Sequence, residues 1–357
     1  DEEVIAGQGT VGLEILRQIN DDIHAIFVPV GGGGLIAGIA LIVKFLRPDI
    51  KIIAVESEDS ACLKAALDAG ERVILDKVGI FADGVAVAQI GEKTFDVCRH
   101  YVDEVITVNT DEICAAIKDL YEDIRSITEP AGALSLAGLK NYVRKENIKE
   151  ETLIAISSGA NVNFDRLRHI SERSEIGEQR EAILAVTIPE ERGSFRNFCE
   201  CLKGASITEF NYRYSSDKKA HLFVGLQMEE GAGSRQVVID QLEAKKFNVV
   251  DLTQSEVAKI HLRHMVGGRA HGIKDEKVFL FEFPERPGAL MTFLEGMGSK
   301  WNITMFHYRN HGAAFGRVYT GVQVPDNELS EIQNYFDELG FRYWEDTDNP
   351  AYEMFLK

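Results

Sequence analysis

The sequence lacks the features that mark membrane-bound, disulfide-stapled or nucleic-acid-binding proteins. Its five cysteines are an odd number and form no Cys-x-x-Cys pair, so we expect free thiols in a reducing compartment. The longest apolar run, 35–43, spans nine residues, whereas a membrane helix needs about 20. Acidic residues outnumber basic ones by 57 to 39, and the resulting charge of −18 repels phosphate backbones. We therefore expect neither a membrane span nor nucleic-acid binding.

Metal-binding patterns are also missing. His261 and His264 stand three positions apart, but no further ligand candidate lies near them in the sequence. Cys199 and Cys201 lie on different faces of a predicted helix. We expect no metal site.

The length of 357 residues fits two or three domains. Up to about residue 165, short β-rich apolar runs alternate with helical patterns, as where the run 24–30 is followed by the helical pattern 35–45. This alternation predicts an α/β fold with a parallel sheet. The alternation ends near residue 170, and the polar segment 171–180 predicts a connecting helix or linker.

The C-terminal half contains a duplication. The segment Pro189–Phe195 recurs as Pro284–Leu290, 95 positions later, and Ile207–Arg213 recurs as Ile303–Arg309, 96 positions later. Matching order and near-constant spacing predict two copies of one β-α-β-β-α-β unit. The glycine repeated in the first motif either only shapes a loop or also helps to bind a ligand, and both interpretations stay open.

A tract of four glycines separates the first predicted strand from the helix after it. Gly31, Gly32, Gly33 and Gly34 allow the backbone amides to approach a ligand closely, and the helix adds its positive N-terminal end. These features favour an anion, above all a phosphate. The tract matches neither the spaced dinucleotide fingerprint nor the P-loop. The alternative is a flexible turn of an α/β fold.

Three further segments could contribute to the same site. Ser158 begins a Ser-Gly-Ala-Asn turn after a predicted strand, where open α/β sheets bind ligands. Glu129 directly precedes a helix with proline at its first position, and the segment 81–85, which contains Gly84, reads as a polar turn below a pocket. Taken singly, the Ser158 segment is an ordinary helix-capping turn, Glu129 is a charge at a helix start, and the segment 81–85 is a loop.

In this order, the four segments resemble the biosynthetic threonine deaminase (threonine ammonia-lyase) family, and the resemblance runs over the whole chain. It implies the C-terminal part of such an enzyme: half of a pyridoxal phosphate (PLP) domain of the tryptophan-synthase-β fold type, followed by two tandem ACT-like α+β domains. The implied boundaries are 1–165 for the partial catalytic domain, 166–181 for a linker helix, 182–253 for the first regulatory domain, 254–275 for a connector and 276–357 for the second.

The resemblance also assigns the cofactor residues. It implies that Gly31, Gly32, Gly33 and Gly34 bind the phosphate of PLP, that Ser158 faces the pyridine nitrogen, and that Glu129 and Gly84 lie beside the ring. A neutral serine leaves that nitrogen largely unprotonated, which favours loss of the β-hydroxyl over transamination. The implied reaction converts threonine to 2-oxobutanoate and ammonia, the first step of isoleucine biosynthesis.

One departure from the family concerns catalysis. Its Schiff-base lysine lies in a Ser-x-Lys-x-Arg-Gly-Ala motif, and no such motif occurs in this sequence. A lysine is needed both to anchor the aldehyde and to remove the α-proton. The resemblance therefore implies that the lysine segment is missing, that no catalytic residue lies in this chain, and that the chain alone is inactive.

The regulatory half is expected to bind an amino acid. By resemblance, the effector residues are Tyr212, Arg263, Tyr308 and Arg309, with isoleucine as inhibitor and valine as its antagonist. The repeated Phe-x-Tyr-Arg motif offers an apolar wall beside a carboxylate-binding cation. The alternative is that the aromatic residues line the core while the arginines are surface groups.

Other interpretations remain at this stage. The chain could be a non-catalytic amino-acid-sensing fragment, or another serine or threonine dehydratase or serine racemase of the same fold, although those enzymes usually lack two fused regulatory modules. The resemblance implies a homo-oligomer, in the family usually a tetramer. It also implies the cytoplasm, or the plastid stroma in a plant or alga.

Overall fold

A computed structural model describes residues 1–191, 193–202, 206–214, 218–228, 232–265, 268–270, 272–284, 288–297, 300–309 and 315–357. The chain divides into two compact units, Asp1–Glu178 and Gln179–Lys357. None of the helices in these ranges combines the length and the apolar character needed to cross a bilayer.

The first unit is built on a four-stranded parallel sheet in the order β3-β2-β1-β4. Phe27 of its central strand lies opposite Ile53 on one side and Ala155 on the other. The alternating pattern in the sequence thus gave the correct sheet type. The elements are α1 (Glu2–Gln18), β1 (Ile23–Pro29), α2 (Gly34–Leu46), β2 (Lys51–Ser57), α3 (Cys62–Ala69), α4 (Glu92–Tyr101), β3 (Glu104–Val108), α5 (Thr110–Ile124), α6 (Pro130–Glu146), β4 (Thr152–Ala155) and α7 (Phe164–Gly177).

The segment predicted as a linker helix, 166–181, forms most of α7, which packs within the first unit. Its Arg173 is buried and donates from Nε to Asp111 of α5 over 2.6 Å. Lys118 of α5 donates to Glu178, just after α7, over 3.0 Å. These contacts make the segment part of the first unit and not a free connection.

The second unit contains an eight-stranded antiparallel sheet in the order β12-β9-β11-β10-β6-β7-β5-β8. The two copies meet where β6 pairs with β10, with Phe306 opposite Tyr212. The predicted β-α-β-β-α-β order occurs twice. The elements are β5 (Glu181–Pro189), α8 (Ser194–Cys201), β6 (Ile207–Arg213), β7 (Lys219–Gln227), α9 (Ala232–Ala244), β8 (Asn248–Asp251), α10 (Glu256–Ile260), β9 (Glu276–Pro284), α11 (Ala289–Met297), β10 (Asn302–Arg309), β11 (Phe315–Gln323), α12 (Leu329–Leu339), β12 (Arg342–Glu345) and α13 (Pro350–Phe355).

The repeated glycines shape equivalent loops in the two copies. Gly193 and Gly288 have φ angles of 89° and 90°, a left-handed conformation that glycine adopts at little cost. Each leads into the first helix of its module. Arg192 of the first motif and residues 285–287 of the second lie outside the described residues.

Candidate functional site

The glycine bend lies at the carboxyl end of β1, where it enters α2. Gly33 has a φ of 85°, and Thr94 of α4 donates from its hydroxyl to the Gly32 carbonyl over 2.8 Å. Among the described residues, no protein group accepts a hydrogen bond from the backbone amides of Gly31, Gly32 or Gly33. These amides, beside a helix N-terminus, are donors that an anion can use.

The surroundings of the bend leave no room for a side chain at Gly31 or Gly33. A Cβ atom on Gly31 would lie 3.0 Å from Cα of Val85, and one on Gly33 would lie 2.9 Å from Cβ of Thr94. Gly32 is exposed and has open space around its Cα. The bend is thus packed from behind and accessible in front, which fits a phosphate group.

Glu129 and Gly84, both predicted to lie beside the cofactor ring, are close together. A Cβ on Gly84 would lie 3.6 Å from Oε1 of Glu129. The amide of Glu129 donates to the Gly159 carbonyl over 3.1 Å, and a side chain on Gly159 would collide with the Glu129 carboxylate. Since Val85 packs against Gly31, this group adjoins the glycine bend.

Ser158 lies at the same edge of the sheet. The amide of Ile156, two residues earlier, donates to the carbonyl of Phe27 over 3.1 Å, which aligns the ends of β4 and β1. Ser158 is exposed, and within the described ranges its hydroxyl makes no hydrogen bond. The structure therefore gathers the predicted cofactor residues at the carboxyl end of one parallel sheet, the usual ligand position in such folds.

Sequence reasoning missed the residues that support this edge. Besides Thr94, Arg166 of α7 donates to the Asp83 carboxylate over 3.0 Å and holds the turn around Gly84. Glu56, at the end of β2, is fully buried. These residues lie far from the glycines in the sequence, and no local pattern marks them.

The predicted effector residues do not form one site. Successive strand residues point to opposite faces of a sheet. Tyr212 and Tyr308 pack with the helix-side aromatic core, whereas Arg309 lies 2.9 Å from Nδ1 of His264. The motif's tyrosine and arginine therefore lie on opposite faces of the sheet, and the assignment of these residues to an effector site stays a prediction.

Arg263 belongs to a buried ionic cluster. It donates to Glu209 over 2.8 Å and to Glu181 over 2.7 Å, and it is 5% exposed. Burial disfavours its charge, but the two carboxylates outweigh this effect and raise its pKa. Because both carboxylates already occupy its guanidinium, Arg263 is a structural cation here and not an open ligand for an effector carboxylate.

Tyr212 lines a cavity between the two regulatory modules. On one side are Glu190 and Phe195, and on the other are Met297 and Trp301. The Tyr212 hydroxyl donates to Oε1 of Glu190 over 2.7 Å, while Oε2 of Glu190 is buried and has no partner among the residues that the structure describes. Burial raises the pKa of Glu190, and the hydrogen bond from Tyr212 opposes that rise.

Two family models match the chain. Residues 1–159 match the model described as pyridoxal-phosphate dependent enzyme, and residues 172–262 and 267–356 match the C-terminal regulatory domain of threonine dehydratase. The biosynthetic L-threonine dehydratase IlvA of Burkholderia multivorans is 52% identical over 100% of this chain and 70% of its own length. This chain belongs to the biosynthetic threonine dehydratase family. The corresponding Escherichia coli protein is 54% identical over 99% of this chain and 68% of its own length.

A solved structure is also similar. The processed form of threonine deaminase isoform 2 from Solanum lycopersicum is 49% identical, with a TM-score of 0.48 over 49% of this chain and 50% of that chain.

Membership confirms the predicted family, the PLP-type fold with regulatory domains, the enzyme class and PLP as cofactor. It also implies small-molecule substrate and effector binding. The expectation that the chain is a C-terminal part without the lysine segment is not borne out, because the comparisons give shares of length and do not say which segment of each relative is matched.

Proposed function

We propose that this threonine dehydratase chain binds PLP through its glycine bend, serves the conversion of threonine to 2-oxobutanoate and ammonia, and senses isoleucine through its regulatory modules. The observation that supports the first part is that the amides of Gly31, Gly32 and Gly33, next to the start of α2, donate to no group in the described part of the chain. Three backbone donors and a helix dipole together suit a phosphate.

Each residue at the sheet edge would have a separate role in binding PLP. Bound PLP supplies the electron sink for the carbanion formed from the amino acid. The bend would hold the phosphate, and the Ser158 hydroxyl would hydrogen-bond the ring nitrogen without protonating it. Glu129, fixed against Gly159 and Gly84, would border the ring on one side.

Calorimetric titration of the full chain with PLP, and separately with pyridoxal, tests the phosphate site. We expect PLP to bind at least about tenfold more tightly, a difference of about 1.4 kcal/mol. Gly33→Ala should abolish that preference because Gly33 has a positive φ and no room for a Cβ. Gly7→Ala, in open space on α1, is the matched control. Equal affinity for PLP and pyridoxal would contradict the proposal.

For the effector we propose the cavity at Tyr212. Its wall contains Phe195, Met297 and Trp301, which suit a branched aliphatic side chain. Oε2 of Glu190, which has no partner within the described ranges, suits an ammonium group. The cavity volume is about 40 Å³.

Calorimetry with isoleucine tests this assignment. Glu190→Gln removes the charge that would pair with the ammonium group, and we expect at least about a tenfold loss of affinity. Glu243→Gln makes the same chemical change at an exposed position of α9 outside the cavity lining and is the matched control. Unchanged isoleucine affinity in Glu190→Gln would move the effector site elsewhere. Valine would compete for the same cavity.

Assembly and compartment are part of the proposal. We propose a homo-oligomer, a tetramer as the family resemblance implies, located in the cytoplasm or in the plastid stroma of a plant or alga. Four of the five cysteines are buried and none of the five forms a disulfide, which supports a reducing compartment. Sedimentation equilibrium of the full chain measures the oligomeric state, and a monomer at all concentrations would contradict the proposed assembly.

A further inference from the structure

Glu56 lies directly behind the proposed phosphate site. Val55, the residue before it, accepts a hydrogen bond from the Val30 amide over 2.9 Å, and Pro29 pairs with Val55 in the sheet. The register therefore places Glu56 opposite Val30, one residue before the glycine bend. Its side chain is fully buried.

The carboxylate of Glu56 is held by the start of α3. Oε1 accepts from the Leu63 amide and Oε2 from the Lys64 amide, each over 2.8 Å. Glu56 therefore caps this helix, for which Ala61 offers no capping side chain.

Cys62 connects this carboxylate to the bend. Its thiol donates to the Gly31 carbonyl over 3.5 Å. Burial and, after it, the charge of Glu56 raise the pKa of this thiol. The Gly31 carbonyl and the Gly32 amide belong to one peptide unit. A donor on that carbonyl polarises the unit and makes the Gly32 amide a stronger donor.

The protonation of Glu56 changes in the neutral range. Burial raises its pKa to about 7, opposed by the amides of Leu63 and Lys64, the thiol of Cys62 and the charge of Lys64. Cys98 of α4 also faces it, and the Glu56 charge contributes, after burial, to raising the pKa of that thiol.

We propose that Glu56 is a positioning residue that couples phosphate binding at the glycine bend to the uptake of a proton. When ionised, Glu56 competes with Gly31 for the Cys62 thiol proton and repels an anion at the bend. When protonated, it does neither, so phosphate binds more tightly. This inference rests on the proposed function, since it assigns a regulation to the same phosphate site.

The test is calorimetric titration of the full chain with PLP and with inorganic phosphate between about pH 6 and 8. Ionisation of the ligand is common to all variants, so the difference from Glu56→Gln isolates Glu56. We expect wild-type affinity to fall more steeply with pH than that of Glu56→Gln, by up to about tenfold per pH unit, the limit for one linked proton.

Further variants separate the effect of Glu56 on the pH dependence of phosphate binding from its effect on stability. Glu56→Asp keeps the titrating group and should keep the steeper pH profile, whereas Cys62→Ala should reduce it. Glu14→Gln makes the same chemical change at an exposed site of α1 and should behave as wild type. If Glu56→Gln only lowers thermal stability and its pH profile parallels that of wild type, Glu56 is a helix cap alone and the proposal fails.

A second readout does not need a ligand. Hydrogen exchange of a peptide covering 27–36 should depart from the intrinsic pH slope near neutrality in wild type and follow it in Glu56→Gln. No binding of PLP or phosphate by wild type would refute the phosphate site, whereas equal exchange profiles would refute the coupling. The two failures are therefore distinguishable.

Discussion

Replacing Arg213 with methionine should destabilise the regulatory unit strongly. Arg213, on β6 of the first module, is 9% exposed and pairs with Glu276 on β9 of the second module. Its Nε donates to the Gly268 carbonyl over 3.0 Å, and its Nη2 donates to Glu276 and to the Leu356 carbonyl. Removing one partner of a buried ion pair costs about 3–5 kcal/mol, because the remaining charge stays desolvated.

Tryptophan fluorescence isolates this effect. The only two tryptophans, Trp301 and Trp344, both belong to the second module, so their emission during urea denaturation reports the regulatory unit. The double variant Arg213→Met with Glu276→Leu leaves no charge behind and should cost less than the sum of the single changes, by at least about 1 kcal/mol. An additive double variant, or a cost of Arg213→Met below about 1 kcal/mol, would refute the reasoning.

The pH dependence of the stability cost of Arg213→Met tests the same ion pair independently. Burial alone would raise the pKa of Glu276, but hydrogen bonds from Arg213, Thr304 and Tyr352 outweigh it and lower that pKa. A lowered native pKa stabilises the fold above the unfolded value, about 4.3, and this contribution is lost as the pH falls through the native pKa. Without Arg213 the buried Glu276 is favoured in its protonated form, so the cost of Arg213→Met should shrink in acid. A cost that grows in acid would contradict this assignment.

Three further predictions concern stability and reactivity. Gly38→Ala should lower the free energy of unfolding by about 1–3 kcal/mol, because a Cβ would lie 2.4 Å from a backbone oxygen of α1. Thermal unfolding followed by circular dichroism measures this loss, with Gly7→Ala as the control. Equal stability of the two variants would contradict this packing. Arg173→Met should lower the stability of the first unit by about 3–5 kcal/mol in the same assay, since it leaves Asp111 buried without this cation, and a loss below about 1 kcal/mol would count against the pair. In a native thiol-labelling assay Cys201 should react first, because the other four cysteines are buried; five equal rates would contradict the burial.

Local signals in the sequence were enough for most individual elements. The four glycines between an apolar strand and an apolar helix predicted the bend between β1 and α2. The repeat offsets of 95 and 96 predicted two copies of one unit, and each copy has the predicted element order. The start of α5 is also a local feature, since Asn109 is its cap and forms a capping box with Glu112.

What the sequence alone determined about this protein is therefore its set of elements and the glycine bend after β1, because hydrophobic period, glycine conformation and turn chemistry act over a few neighbouring residues. Only the tertiary structure decided which distant groups meet. Examples are the hydrogen bond from Thr94 to Gly32, the position of Glu56 opposite Val30, and the ion pair of Arg213 with Glu276, all between residues far apart in the sequence. It also separated Tyr212 from Arg263. Arg263 binds Glu209, and because Glu209 and Tyr212 lie three positions apart on β6, their side chains occupy opposite faces of the sheet.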